Sequence, residues 1–454
     1  MQVIEQNVPD EAGGLPAVST LRRLGSSFGW FGFQRLFVMA LGIATSGLLA
    51  RQLGAEKMGI LASAQALVGF VGILSMGIDP TVFTDCLHRH PERENGIMGG
   101  TTIILALSSV VAWLVLACYM LLFWQKDMVL LTTTLVCGLK LFISFPAPVA
   151  FWFQSRLLTR HIVVPNTIGT LVLRGWQWVT GLLHWGVPWV ALGEVISLLY
   201  VMAASFGAYG KLGKRIRDWW CDWRSGWEVF IHSIPALVAG TLAVFLNRMD
   251  LIMLRWLSDE REVGFYAAAS ALTESLLFVG GISTSVLTPL LLQARGEDVA
   301  HYARTRQVHM RMNTLAGWLL AVVLSLTAGM AVSLVYGAEF ARSGELLSLH
   351  AFLLVPCLAG SALQCHLSLE RQLAQMTVAL VLALGVNFSL NWLLIPQWAG
   401  MGAAASTLCA TLVAHVLAPL LLPLTRAYGK EALAAVLWPV PNIRSLTALS
   451  LPSH

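Results

Sequence analysis

Twelve apolar runs, each long enough to cross the ~30 Å hydrocarbon layer of a bilayer as a helix, leave this chain few ways to fold. They fall at about residues 26–50, 58–78, 97–123, 128–152, 162–183, 188–206, 230–254, 263–292, 312–335, 345–368, 373–395 and 399–424. In lipid every backbone N–H and C=O must be paired within the protein, which permits helix bundles and closed barrels only. No segment shows the strand alternation of a barrel, so the expected fold is an all-α integral membrane bundle. Composition agrees: 57% of the residues are hydrophobic and 12% charged, too few charges to cover a soluble surface. The net charge of +5 is no nucleic-acid signal, because the Lys and Arg residues sit in loops with a sided bias.

That bias sets the expected orientation. With Arg22 and Arg23 placed in the cytoplasm, 19 Lys and Arg residues fall on that side and 6 on the other. Both termini are then cytoplasmic, as an even number of spans requires. The boundaries that follow are a cytoplasmic N-terminal tail at 1–25, a six-helix lobe at 26–206, a linker at 207–229, a second six-helix lobe at 230–424 and a cytoplasmic C-terminal tail at 425–454. The first 25 residues hold Glu5, Asp10 and Glu11 and no apolar core, so no cleavable signal peptide is expected. In the linker, Ile216, Trp220, Trp223 and Trp227 recur at helical spacing among Lys214, Arg215, Arg217 and Arg224, which predicts an amphipathic helix lying in the lipid interface. Prolines 146, 148, 165, 235, 356 and 419 interrupt spans and allow bends.

Two stretches repeat. LLARQLGAEKMGILASAQAL at 48–67 and LNRMDLIMLRWLSDEREVGFYAAASAL at 246–272 each end an apolar run in Arg (Arg51, Arg255), turn through charged residues and resume at Gly (Gly59, Gly264). Beyond the Gly, Ala62 matches Ala267, Ala64 matches Ala269, Ala66 matches Ala271 and Leu67 matches Leu272. Internal repetition of this kind in a membrane chain indicates two related halves.

These stretches, with IPQWAGMGAAA at 395–405, carry a family resemblance. The Asp–apolar–polar turn–Gly–aromatic–Tyr–small pattern at 250–268 resembles the polysaccharide-transporter branch of the multidrug/oligosaccharidyl-lipid/polysaccharide exporter superfamily. The resemblance implies two six-helix lobes around a central cavity that opens alternately to either side. It also implies transport of undecaprenyl-diphosphate-linked oligosaccharide across the bacterial inner membrane, for O-antigen or exopolysaccharide assembly. Membrane lipid would be a partner, with a polysaccharide polymerase and a chain-length regulator as protein partners. Twelve spans are fewer than in the fourteen-helix lipid II flippases, which disfavours the murein role.

Charges inside spans are costly and should face a cavity or a partner. The cations are Arg35, Lys140, Arg174 and Arg248; in a cavity they would bind a lipid diphosphate, Arg through paired donors and Lys as a point charge. Mutual neutralisation with the acids is the competing expectation. Glu274, Glu194 and Asp250 are those acids, with Asp79 at a span end, and a buried carboxylate can bind a proton or Na⁺ and so couple transport to an ion gradient. Asp250 is not the automatic partner of Arg248, since residues two apart point to different helix faces. Asn387 and Asn391 share a face of one helix and are expected chiefly to join helices. Trp176, Trp178, Trp185 and Trp189 flank one turn, where an aromatic belt or sugar stacking would place them. The seven cysteines and the scattered histidines show no metal-ligand spacing, and no GxxxxGK[ST] motif or other cofactor signature is present. The absence of a long loop opposite the termini and of catalytic spacing argues against an integral-membrane polymerase or acyltransferase. A multidrug antiporter of the same fold would favour an acidic, aromatic cavity.

Overall fold

The computed structural model describes residues 17–440 except 76, 143–146, 157, 159 and 371, with side chains from residue 36 onward except 239 and 373. The side chains of Arg22, Arg23 and Arg35, the residues Pro146 and Arg371, and the segments 1–16 and 441–454 lie outside the described residues. The chain divides into two units after Leu41. The first is helical from Ala17 onward; all contacts below are within the second.

Among the described residues the secondary structure is helical throughout. The helices are α1 Ala17–Gly72, α2 Pro80–Arg89, α3 Glu94–Phe123, α4 Met128–Phe142, α5 Ala147–Ser155, α6 Arg160–Leu182, α7 Val187–Lys211, α8 Trp223–Leu257 and α9 Glu260–Ser275. They continue as α10 Phe278–Glu297, α11 Val299–Leu326, α12 Ala328–Val335, α13 Ala341–His350, α14 Leu354–Leu369, α15 Leu373–Trp398, α16 Gly400–Leu412, α17 Ala418–Leu421 and α18 Arg426–Leu437. Seven segments are long and apolar enough to cross a membrane, and ten when each bent pair is one crossing. The first of these covers two apolar runs on either side of Gly54, and α6, which carries Asn166, Arg174 and Gln177, is not among them. Dividing the first and admitting α6 gives the twelve runs of the sequence.

The breaks have local causes. Gly54 takes φ 76°, a left-handed conformation open to glycine, and α1 restarts at Ala55, whose freed N–H donates to Glu339 Oε1 at 3.1 Å. α8 bends by 44° between Val238 and Gly240, just beyond Pro235, which has no N–H for the helix ladder. α4 and α5 are inclined by 44° and α11 and α12 by 69°.

One expectation is corrected. α7 runs to Lys211 and α8 begins at Trp223, so the link is 212–222; it holds a single 3₁₀ turn, Ile216–Asp218, and no amphipathic helix. Trp223 and Trp227 belong to the first turns of α8, stacked with ring centroids 6.2 Å apart. Asp222 caps that helix, and the Ser225 hydroxyl and N–H that donate to it hold its carboxyl below the usual range. The C-terminal segment carries a helix, α18. α18 packs on α11 and α14 through Tyr428, Ala432 and Ala435, and Glu431 takes a two-pronged bond from Arg306 at 3.0 and 2.6 Å.

The repeated stretches meet. A Cβ on Gly59 would lie 1.8 Å from the Glu260 carbonyl oxygen, and one on Gly264 would lie 1.9 Å from that of Ala55. The two turn glycines therefore bring α1 and α9 together backbone to backbone. One hydrophobic core spreads from this crossing over both halves, from Leu49, Ala55 and Val190 to Leu254, Val263, Phe340 and Ala403. The same end of the bundle holds the α3–α4 and α8–α9 turns. At the other end Gly99 and Gly100 of α3 abut the backbone of Trp220 and Asp222, and α8 passes from α3 to α15 along its length.

Candidate functional site: a cavity headed by an ion pair

Between the α1–α2 junction, α4, α5, α7 and α8 lies a cavity of about 540 Å³. Its wall is largely aliphatic, from Ile73, Val149, Leu198, Val201, Met202 and Leu237. Two charged residues line it, Asp79 and Lys140. Asp79 is committed to structure: it caps α2, accepting the Thr81 and Val82 N–H groups at 2.8 and 3.2 Å, and its own N–H donates to Ser233 Oγ at 2.9 Å. Lys140 is the cation that faces the space.

Helical periodicity explains the placement. On α7 the lining residues Leu198, Val201, Met202 and Ser205 continue upward to Glu194, one turn before Leu198. There Glu194 Oε2 receives Lys140 Nζ at 2.8 Å, and its Oε1 receives Gln65 Nε2 at 2.5 Å. On α8 the lining residues Gly240, Thr241 and Val244 lead by one further turn to Arg248. Arg248 pairs with Glu274 of α9 at 3.8 Å, and both side chains stay about two-fifths exposed. Arg174 lies outside this lining. Its guanidinium donates to Gln177 Oε1 at 3.0 Å and lies 3.4 Å from where a Cβ on Gly42 would stand. The structure thus brings Lys140, Glu194 and Arg248 to one set of faces and sets Arg174 apart.

Asp250 points away from Arg248, as their spacing requires, into the second half. It is 4% exposed. It accepts from the phenol of Tyr266, from Thr407 Oγ1 at 3.1 Å and from the Leu251 N–H at 3.0 Å. Asn387 Nδ2 donates onward to Thr407 Oγ1 at 3.4 Å and Asn391 Nδ2 to Asn387 Oδ1 at 3.0 Å, while Asn391 Oδ1 is buried without a partner. Asn387 thus joins α15 to α16, as expected of it, and Asn391 braces Asn387 from the same helix. The tryptophans split. Trp176, Trp185 and Trp189 pack edge to face around the α6–α7 turn, whereas Trp178 donates to Thr45 Oγ1 at 3.0 Å and braces α6 on α1.

The end of the bundle at the glycine crossing is closed by polar contacts between the halves. Arg255 is sandwiched by Asp127 at 2.9 Å, by Glu260 and by the Trp124 ring at 5.0 Å. Its repeat counterpart Arg51 also crosses, donating to the Leu334 carbonyl at 2.5 Å. Matched positions of the repeat therefore make matched cross-contacts. Arg255→Met leaves Asp127 and Glu260 without their shared cation, and it is expected to cost ~3 kcal/mol, in the range for breaking a buried pair. Asp127→Asn leaves Glu260 in place and should cost under ~1 kcal/mol. Thermal unfolding of the detergent-solubilised variants orders the two.

Gln65, Asp127, Tyr266 and Thr407 were not singled out from the sequence as site residues. Gln65 carried a usable signal, as the one amide in the otherwise small and apolar stretch 60–68. The pairing of Asp127 with Arg255 carried none, since it depends on how two distant turns meet.

Solved structures share this architecture over nearly all of both chains. The lipid II flippase MurJ in an inward closed conformation matches with a TM-score of 0.69 at 11% identity, covering 92% of this chain and 95% of that one. An inward-facing multidrug resistance MATE family transporter of the MOP superfamily matches with a TM-score of 0.65 at 13% identity, over 88% and 99%. A MOP superfamily transporter from Pyrococcus furiosus gives 0.54 at 13% identity, over 92% and 94%. At such identities the likeness is one of fold, and it defines the chain as an all-α membrane protein. The chain belongs to the polysaccharide biosynthesis protein family, whose model matches residues 48–345. No curated protein matches it by sequence.

Proposed function

We propose that this protein is an inner-membrane flippase for undecaprenyl-diphosphate-linked oligosaccharide units, serving O-antigen or exopolysaccharide synthesis by alternating access. The observation that carries the reading is the aliphatic cavity with Lys140 at its head, in a member of a polysaccharide biosynthesis family. An aliphatic wall suits a prenyl chain and an ammonium suits the diphosphate next to it. Arg248, on the continuing face of α8, would meet the same anion from the other half, with Arg174 as a further cation toward the headgroup. Both termini lie in the cytoplasm by the Lys and Arg bias. The lobes at 26–206 and 230–424 would rock about the fixed cavity, with the Arg255–Asp127 end as the closed gate. Among the acids, Asp250 is the best coupling site: it is buried with the Tyr266 and Thr407 hydroxyl oxygens against it, a setting for a proton or a monovalent cation. A polysaccharide polymerase and a chain-length regulator would take up the product.

The test is reconstitution in liposomes with a labelled undecaprenyl-diphosphate oligosaccharide. Protein-dependent movement to the opposite leaflet is expected, with a loss of ~10-fold or more in Lys140→Ala, equivalent to ~1.4 kcal/mol of lost binding. Absence of movement, with drug-dependent proton flux in its place, would turn the reading to a multidrug antiporter.

A further inference from the structure

Lys140 is asked to bind an anion while it already holds one. Its ammonium lies 2.8 Å from Glu194 Oε2, and Glu194 is itself only 15% exposed at the side chain. We infer that an anion entering the cavity competes with Glu194 for Lys140, so that anion binding at Lys140 and protonation of Glu194 are coupled. The inference rests on the proposed substrate and adds how its site is regulated.

The chemistry is an exchange of partners. A proton adds to Glu194 Oε2, the oxygen that Lys140 leaves. Glu194 Oε1 remains an acceptor for Gln65 Nε2, 2.5 Å away, so the neutral carboxyl keeps its place on α7. Lys140 stays an ammonium throughout and turns its donors to the anion. With Glu194 ionised, the incoming phosphate would meet a neutralised lysine and a like charge next to it.

The groups that face Glu194 from neighbouring helices agree with this assignment. α1 brings Gln65 and α4 brings Lys140, with the Cys137 thiol in electrostatic range. From α6, Arg174 is felt at Glu194 as a second, more distant cation, and α5 carries no charged residue. Glu194 is the acid that forms the 2.8 Å ion pair with Lys140, and its protonation weakens that pair. Thermodynamic linkage then fixes the sign: affinity for the anion rises as pH falls through the range where Glu194 takes its proton.

The probe is farnesyl diphosphate, added to the full chain in nanodiscs. On acidification from about pH 8 to about pH 5, wild type is expected to gain ~10-fold in affinity. Glu194→Gln should bind tightly across the series without that gain. Lys140→Met should bind weakly at every pH. The ligand's own second ionisation works in the opposite direction, since it loses charge on acidification, so it cannot mimic the expected rise. Wild type also answers without mutation, because calorimetry in buffers of different ionisation heat should show net proton uptake on binding. Equal pH profiles in wild type and Glu194→Gln, or no proton uptake, overturn the coupling and leave the substrate reading standing. No binding by any variant at any pH removes the substrate reading and the coupling with it.

Discussion

Gly59→Val and Gly264→Val are each expected to abolish flipping while the protein still reaches the membrane. The cause is geometric. A Cβ at either position would stand 1.8 or 1.9 Å from a carbonyl oxygen of the facing helix. Neither backbone can yield locally, because both carbonyls belong to helical turns. α1 and α9 must separate by more than an ångström, and the contacts beside the crossing, Arg255 with Asp127 and Glu339 with the Ala55 N–H, separate with them. Overpacking of this kind costs ~1–3 kcal/mol or more. A two-state transporter would lose at least ~10-fold in the population closed at this end. An arrangement opened at this end would part the two helices at the crossing, so it should persist and the protein should be trapped in it. Spin labels at Lys126 and Arg261, exposed on opposite halves of this end, would report a longer and broader distance. Gly69, on the same α1 but with open space at its Cβ, supplies the control, and Gly69→Val should flip at close to the wild-type rate. If both crossing variants transport normally, closure at this end does not need the backbone contact.

The same crossing shows how far the sequence could be read. The repeat at 48–67 and 246–272 was visible as a pattern of Arg, charged turn, Gly and small residues. A pattern of small residues announces that a helix will be approached closely, but not by which neighbour. That the two copies approach each other is a tertiary fact. The apolar runs were legible for the stronger reason that lipid leaves a backbone no alternative to helix. The link 212–222 misled because Trp220, Trp223 and Trp227 fit helical spacing; Asp222 caps α8 between them, and a cap ends one periodicity where another begins. For the site, composition showed which residues were costly to bury but not the faces they occupy. Spacing did give the negative result for Arg248 and Asp250. The partners that settle the two, Glu274 and Tyr266, come from α9. The cavity wall was the least legible part, since an aliphatic side chain facing a cavity and one facing lipid look the same in sequence.

Asp250 supports the second large effect, and two substitutions there should separate structure from coupling. Asp250→Ala leaves the Tyr266 phenol, the Thr407 hydroxyl and the Leu251 N–H without their acceptor inside the bundle. Each buried unsatisfied donor costs ~1–3 kcal/mol, so this variant should lose most of its folded yield. Asp250→Asn keeps the shape and one acceptor oxygen, and it should fold. It cannot take up a proton or neutralise a cation, however. In liposomes carrying an imposed proton or sodium gradient, its flipping should fall to the rate that wild type shows without a gradient, a drop of ~10-fold or more for a coupling free energy of ~1.4 kcal/mol. Thr407→Val removes one donor and retains the charge, so its gradient dependence should survive at reduced amplitude. Asp250 lies one helix turn from Leu254, in the core that spreads from the glycine crossing, whereas Lys140 and Glu194 head the cavity in the other half. An ion at Asp250 would therefore act on the gate through α8 and α9, and a proton at Glu194 would act on the anion directly. If Asp250→Asn still responds fully to the gradient while Glu194→Gln does not, the driving ion enters through the cavity itself, and the buried carboxylate serves only to bind α8 to α9 and α16.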